Sequence, residues 1–243
     1  TGGSVLISSG GSAEAGSGSI KISSPNAGNE GSSGAMTLQT GTASAGSSGS
    51  LRVRTGSARD GVAGSISLSV GSATTASGDV TLVAGDSEAS TGGAISISTG
   101  ASALVSSGEL SLRTANGGEK GSSGIITLKS GSAEAGATGS VSMSTGDSNF
   151  GASGDVGLQV GSAGEANGGN VNVRAGDTSG IDATGGSVSI GAGDSMNEAG
   201  SAGGSVSISG GSGNGATGGS LLLVSGGSIS GTSGSVLLES RDT

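Results

Sequence analysis

The stretch Gly64-Ser65-Ile66-Ser67-Leu68-Ser69-Val70-Gly71 decides how this chain is read, because its pattern returns sixteen times. Two aliphatic residues spaced by two share one face of an extended strand, whereas a helical face would space them by three or four. The first of the pair falls at Val5, Ile20, Met36, Leu51, Ile66, Val80, Ile95 and Leu110. It continues at Ile126, Val141, Val156, Val171, Val188, Val206, Leu221 and Val236. Most steps are 15 residues, and the extremes are 14 and 18. The second lies two residues on, as at Ile7, Ile22, Leu38, Val53 and Leu68. Each repeat therefore predicts one short β-strand with an aliphatic inner face and a Ser-, Thr- or charge-bearing outer one.

Glycine brackets the strand. Five residues after the first aliphatic stands Gly10, Gly41, Gly56, Gly71, Gly85, Gly100, Gly131, Gly146, Gly161 or Gly176, and a second Gly precedes the strand by two. Both predict sharp turns, often with positive φ, which Gly adopts without steric cost. Seven residues after the first aliphatic the side chain is small, as at Ala58, Ala73, Ser87, Ala133 and Ala163. That position predicts close approach to another layer. The steps of 17 and 18 place insertions in the turns, not in the strands.

Two aliphatics cannot offset the ordering entropy of fifteen residues, so an isolated repeat has no stability of its own. Stacking would supply it, as in other solenoids. The expected fold is all-β: a parallel β-solenoid (β-helix) of about sixteen 15-residue repeats, with an aliphatic-x-aliphatic core pair and Gly-rich turns. It runs through residues 1–243 as one continuous array. Coil size stays open between one and two repeats per turn. At about 4.8 Å per stacked strand, sixteen coils would span roughly 77 Å and eight roughly 38 Å. A partial alternation of Gly131-Ser132-Ala133, Gly146-Asp147-Ser148, Gly161-Ser162-Ala163 and Gly176-Asp177-Thr178 leans toward the larger coil. An antiparallel meander would need nine- or ten-residue hairpin loops, far beyond the usual length. The 56 Gly invite a disordered-linker reading, but scheduled Val and Ile and the single Pro25 argue against it.

Composition excludes several classes of function. The chain has no His, Cys, Trp or Tyr and one Phe, so no thick aromatic core is expected. A net charge of −9, with nine basic residues scattered from Lys21 to Arg241, speaks against nucleic acid and anionic membranes as partners. No run approaches the roughly 18 apolar residues of a membrane span. Nucleophilic triads need an imidazole or an equivalent base beside the nucleophile, and the carboxylates are dispersed; the chain reads as no enzyme, with no catalytic, metal or cofactor residues. The turns at Asp86, Asp147, Asp177 and Asp194 raise calcium, yet calcium β-rolls repeat a nine-residue unit. Asp after a turn Gly more simply caps the turn. The Gly-rich turns lack a Walker-type lysine for phosphate. An ice-binding plane would carry regular Thr, and Lys21, Arg52, Arg54, Glu109 and Arg113 interrupt the outward row.

None of the nine Asn lies in an Asn-x-Ser/Thr sequon, which fits close lateral packing without glycans. Segments such as Gly139-Ser140-Val141-Ser142-Met143-Ser144-Thr145-Gly146 and Gly204-Ser205-Val206-Ser207-Ile208-Ser209-Gly210-Gly211 resemble the Gly/Ser-rich β-solenoid repeat arrays of large extracellular proteins of unicellular algae and oomycetes. The resemblance covers essentially the whole chain. It implies a secreted surface, adhesive or filament role, and no functional residue carries over. The expected function is a structural protein forming or coating an extracellular filament or cell-surface layer. The alternatives are a surface adhesin meeting glycan or mineral through its Ser/Thr face, and an ice-binding protein. The expected partners are further copies, end to end or laterally, or other structural chains. Thr1-Gly2-Gly3 enters a strand at once and Val236-Leu237-Leu238 closes without a cap. Both ends fit a longer array or end-to-end growth.

Overall fold

The repeat unit folds as an extended segment followed by a closed loop. In the computed structural model, residues 2–196 and 200–240 are described; Thr1 and Arg241 lie outside them. In seven of the loops the closure is a single backbone hydrogen bond between the two bracketing glycines. The Gly18 amide donates to the Gly10 carbonyl at 2.9 Å, and the same bond joins Gly93 to Gly85 at 2.8 Å and Gly108 to Gly100 at 3.0 Å. In others, such as those ending at Gly49, Gly64 and Gly154, the second glycine lies against the residue four places after the first aliphatic without that bond.

The expected parallel β-solenoid does not form: among the described residues there is no helix and no β-strand. The closure supplies the reason. To stack beside its predecessor in parallel, a segment would have to begin beside that predecessor's start, about 20 Å back along a strand of this length. Instead it begins beside the predecessor's end. The loop spends all its residues returning to its own mouth, and none remain to carry the chain back. A single closing bond, present in seven of the loops, stands where a ladder was expected, and the aliphatic pair receives no facing layer.

Burial follows from this. None of the described residues is fully buried, and both aliphatics of every repeat are at least half exposed, from Val206 at 50% to Val5 at 89%. A compact protein of this mass would expose about 9,300 Å² and a fully unfolded chain about 32,000 Å². The surface here is 24031 Å², nearer the second figure. The aliphatic core pair is a surface feature.

The chain divides into two units, Thr1–Arg113 and Thr114–Thr243. In the first, closed loops include those at Gly10/Gly18, Gly85/Gly93 and Gly100/Gly108, and a β-turn brings the Gly31 amide to the Gly28 carbonyl at 3.4 Å. In the second, closures join Gly176 to Gly186, Gly193 to Gly204, Gly211 to Gly219 and Gly226 to Gly234 at 2.8–2.9 Å. Here the longer repeats are instructive. The steps of 17 and 18 residues begin at Val171 and Val188, and their extra residues lie wholly inside the loops closed by Gly186 and Gly204. Asp182, with φ 59°, and Gly200, with φ 84°, belong to those enlarged crowns. Loop length varies; where the closing bond forms, it joins the same two positions.

Candidate functional site

What packs in this chain is the junction of loop and segment. Where the second glycine folds back, it rests on the residue just before the first one. A Cβ on Gly93 would stand 3.2 Å from the Ala84 Cβ and 3.2 Å from the Gly85 amide nitrogen. On Gly186 it would meet Ala175 Cβ and the Gly176 nitrogen, each at 3.2 Å. Neither glycine has a positive φ, so Gly is needed there for proximity and not for a left-handed turn. The first glycine is different: at Gly85 and Gly176 an added Cβ would find nothing within 4 Å. The expectation that both glycines serve sharp positive-φ turns is thereby corrected.

The residue beneath the second glycine is the chain's most covered position. Ala84, Thr114, Ser130, Ala175 and Ser225 are the only partly buried side chains among the described residues, and each occupies it. Its signal was available: the residue is small or β-branched in every repeat, as Ser9, Thr40, Val70, Ala84, Ala192 or Gly210.

The small residue seven places after the first aliphatic proves to be a loop cap where it carries a hydroxyl. Ser12 Oγ accepts from the Ala15 amide at 2.9 Å, Ser87 from Ser90 at 3.0 Å, and Ser102 from Val105 at 3.0 Å. Ser148 accepts from Gly151 at 3.0 Å and Ser228 from Gly231 at 2.8 Å. These are hydroxyl-to-backbone turns of the kind Ser favours. At Ser87, Ser102 and Ala133 alike the side chain is exposed, so the expected approach to a second layer is absent there.

Among the described residues the carboxylates do not cluster. Asp86, Asp147, Asp177 and Asp194 each follow the first glycine at the loop's entrance. Asp177 meets Arg174 in an exposed ion pair at 2.5 Å. Among the described residues no three His, Cys, Asp or Glu gather closely enough to hold a metal ion. Lys21, Arg52, Arg54, Glu109 and Arg113 are exposed along extended segments, and without a sheet they share no common plane. No helix among the described residues is long and apolar enough to cross a membrane.

No protein family, curated protein or solved structure matches this chain. The surface must therefore be read on its own chemistry. Between successive junctions every repeat offers the same thing: one half-exposed aliphatic pair, such as Ile95 at 55% and Ile97 at 66%, flanked by Ser and Thr. Chemically this surface can bury apolar area against a partner, and it can do so many times over.

Proposed function

We propose that this chain is a structural protein that forms or coats an extracellular filament or cell-surface layer. One observation carries the reading: sixteen equivalent aliphatic pairs are distributed along the chain, each at least half exposed. Enzymes and small-molecule binders gather their chemistry into one concave site. Here a weak contact is repeated instead, and repeated contacts gain strength through avidity. The building unit is the closed loop with its extended segment. Extracellular placement is supported by the resemblance to Gly/Ser-rich surface arrays.

Electron microscopy of the purified chain over a range of concentrations tests the proposal. Fibres or sheets at high concentration are expected; dispersed monomers throughout would overturn it. Antibody labelling of intact source cells tests the location, with surface signal expected and signal only after permeabilisation counting against it.

A further inference from the structure

We infer that the aliphatic pairs of one copy dock on those of a second copy, side by side and in whole-repeat register. The inference rests on the structural role proposed above and adds to it a face, a partner and a spacing.

The chain's own backbone sets the pairs apart. Since each segment starts where its predecessor ends, a pair such as Val80 and Leu82 is not covered by the next pair, Ile95 and Ile97; they stay 56%, 68%, 55% and 66% exposed. The cover must come from elsewhere. A compact partner would reach one or two pairs. A second copy presents the same pairs, eight in each of its two units.

The stretch that carries each pair is kept constant where the loop length is not. From the closing glycine of one loop to the opening glycine of the next there are eight residues, as in Gly93–Gly100, Gly186–Gly193, Gly204–Gly211 and Gly219–Gly226. The loops between them differ in length, yet they close on the same bond, at 2.9 Å for Gly186 and Gly204 and 2.8 Å for Gly93 and Gly219. Insertions are thus held inside the crowns, and the mouths of the loops in the steps of 17 and 18 close as the shorter ones do. A chain selected only to be a spacer would not need this. A chain that must match a copy of itself would.

The area suffices, but only cumulatively. A fully exposed aliphatic side chain presents roughly 100 Å² of apolar surface, so a pair at these exposures offers roughly 120 Å². A stable interface buries about 800 Å² per partner. About seven consecutive repeats are needed, and each of the two units carries eight. Single repeats do not associate; aligned runs do. The net charge of −9 opposes association, and physiological salt, with a Debye length of about 8 Å, screens it.

The test uses the full chain at physiological salt. Sedimentation velocity of the parent protein should show concentration-dependent association. The variant Leu38→Asp, Leu82→Asp, Leu158→Asp, Ile208→Asp, which leaves no more than two consecutive pairs intact within either unit, should weaken it at least tenfold. A control with the same four added charges on loop crowns (Ala89→Asp, Ala103→Asp, Ala135→Asp, Ala166→Asp) should associate like the parent. The chain has no cysteine, so single-cysteine variants report register. Leu82→Cys mixed with Ile97→Cys should cross-link across copies as readily as either with itself, whereas Leu82→Cys with Ala89→Cys should not. Equal association of the aspartate variant and the parent, or cross-linking indifferent to position, would overturn this docking while leaving the filament role standing. Monomers in every protein at every concentration would overturn both.

Discussion

The Gly93 amide donates to the Gly85 carbonyl at 2.8 Å, and this one bond ends a loop, starts the next segment and brings Gly93 over Ala84. The two glycines look interchangeable in the repeat, yet their surroundings are opposite. A Cβ on Gly93 would crowd Ala84 and the Gly85 nitrogen at 3.2 Å, and one on Gly85 would enter open space. Gly93→Ala is expected to loosen the closure and Gly85→Ala to leave it intact. A net backbone hydrogen bond contributes about 0.5–1.5 kcal/mol, so the amide of residue 93 should exchange with solvent roughly fivefold faster in the first variant only.

At Gly210 the fit is tighter. A Cβ there would overlap the Gly219 carbonyl oxygen and stand 2.9 Å from its carbon, with no flexible side chain to give way. Gly210→Ala should therefore separate Gly219 from Gly211. Amide exchange at Gly219 is the readout, and unchanged protection would show that the backbone relaxes around the methyl.

The hydroxyl caps make a separate prediction. Ser87→Ala removes the acceptor for the Ser90 amide, bonded at 3.0 Å, and should raise exchange at residue 90 by roughly two- to tenfold. Ser87→Thr should preserve it, because Thr178 already performs this role, its Oγ1 accepting from the Gly180 amide at 3.2 Å. Nuclear magnetic resonance of the two variants distinguishes them.

Insertions should be tolerated in one place and not another. Two or three Gly or Ser residues between Glu88 and Ala89 mimic the enlarged loops at Gly176–Gly186 and Gly193–Gly204, which close at 2.9 Å. Closure at Gly93 should survive, with unchanged chemical shifts in the flanking segments. One residue inserted between Val80 and Leu82 should shift the second aliphatic to the opposite face, and self-association should fall.

Without a buried core the isolated chain has nothing to melt as a unit. Cooperative unfolding reflects shared packing, and none of the described residues is buried. Calorimetry of dilute protein should show no sharp heat-absorption peak. A two-state transition at concentrations too low for association would contradict the exposed arrangement.

Much of this was legible in local pattern. The spacing of Ile66 and Leu68, the bracketing Gly64 and Gly71, and the confinement of insertions to the loops are all properties of neighbouring residues, and backbone sterics suffice to read them. Ser87 as a turn former was equally open to reading, although its small size also suits packing against a second layer. The destination of the aliphatic pairs was not legible. Alternation of Val80 and Leu82 says that they share a face; it is silent on whether another part of the chain comes to cover it. That depends on where the chain stands after each loop, and Gly93 meeting Gly85 settles it by placing each segment at the end of the last. Sequence alone determined the repeat, its extended segments and its turns, because those interactions span only a few bonds. Tertiary structure alone decided that the loops close on themselves and leave the pairs bare, because closure depends on a contact between residues eight to eleven positions apart that no local preference specifies.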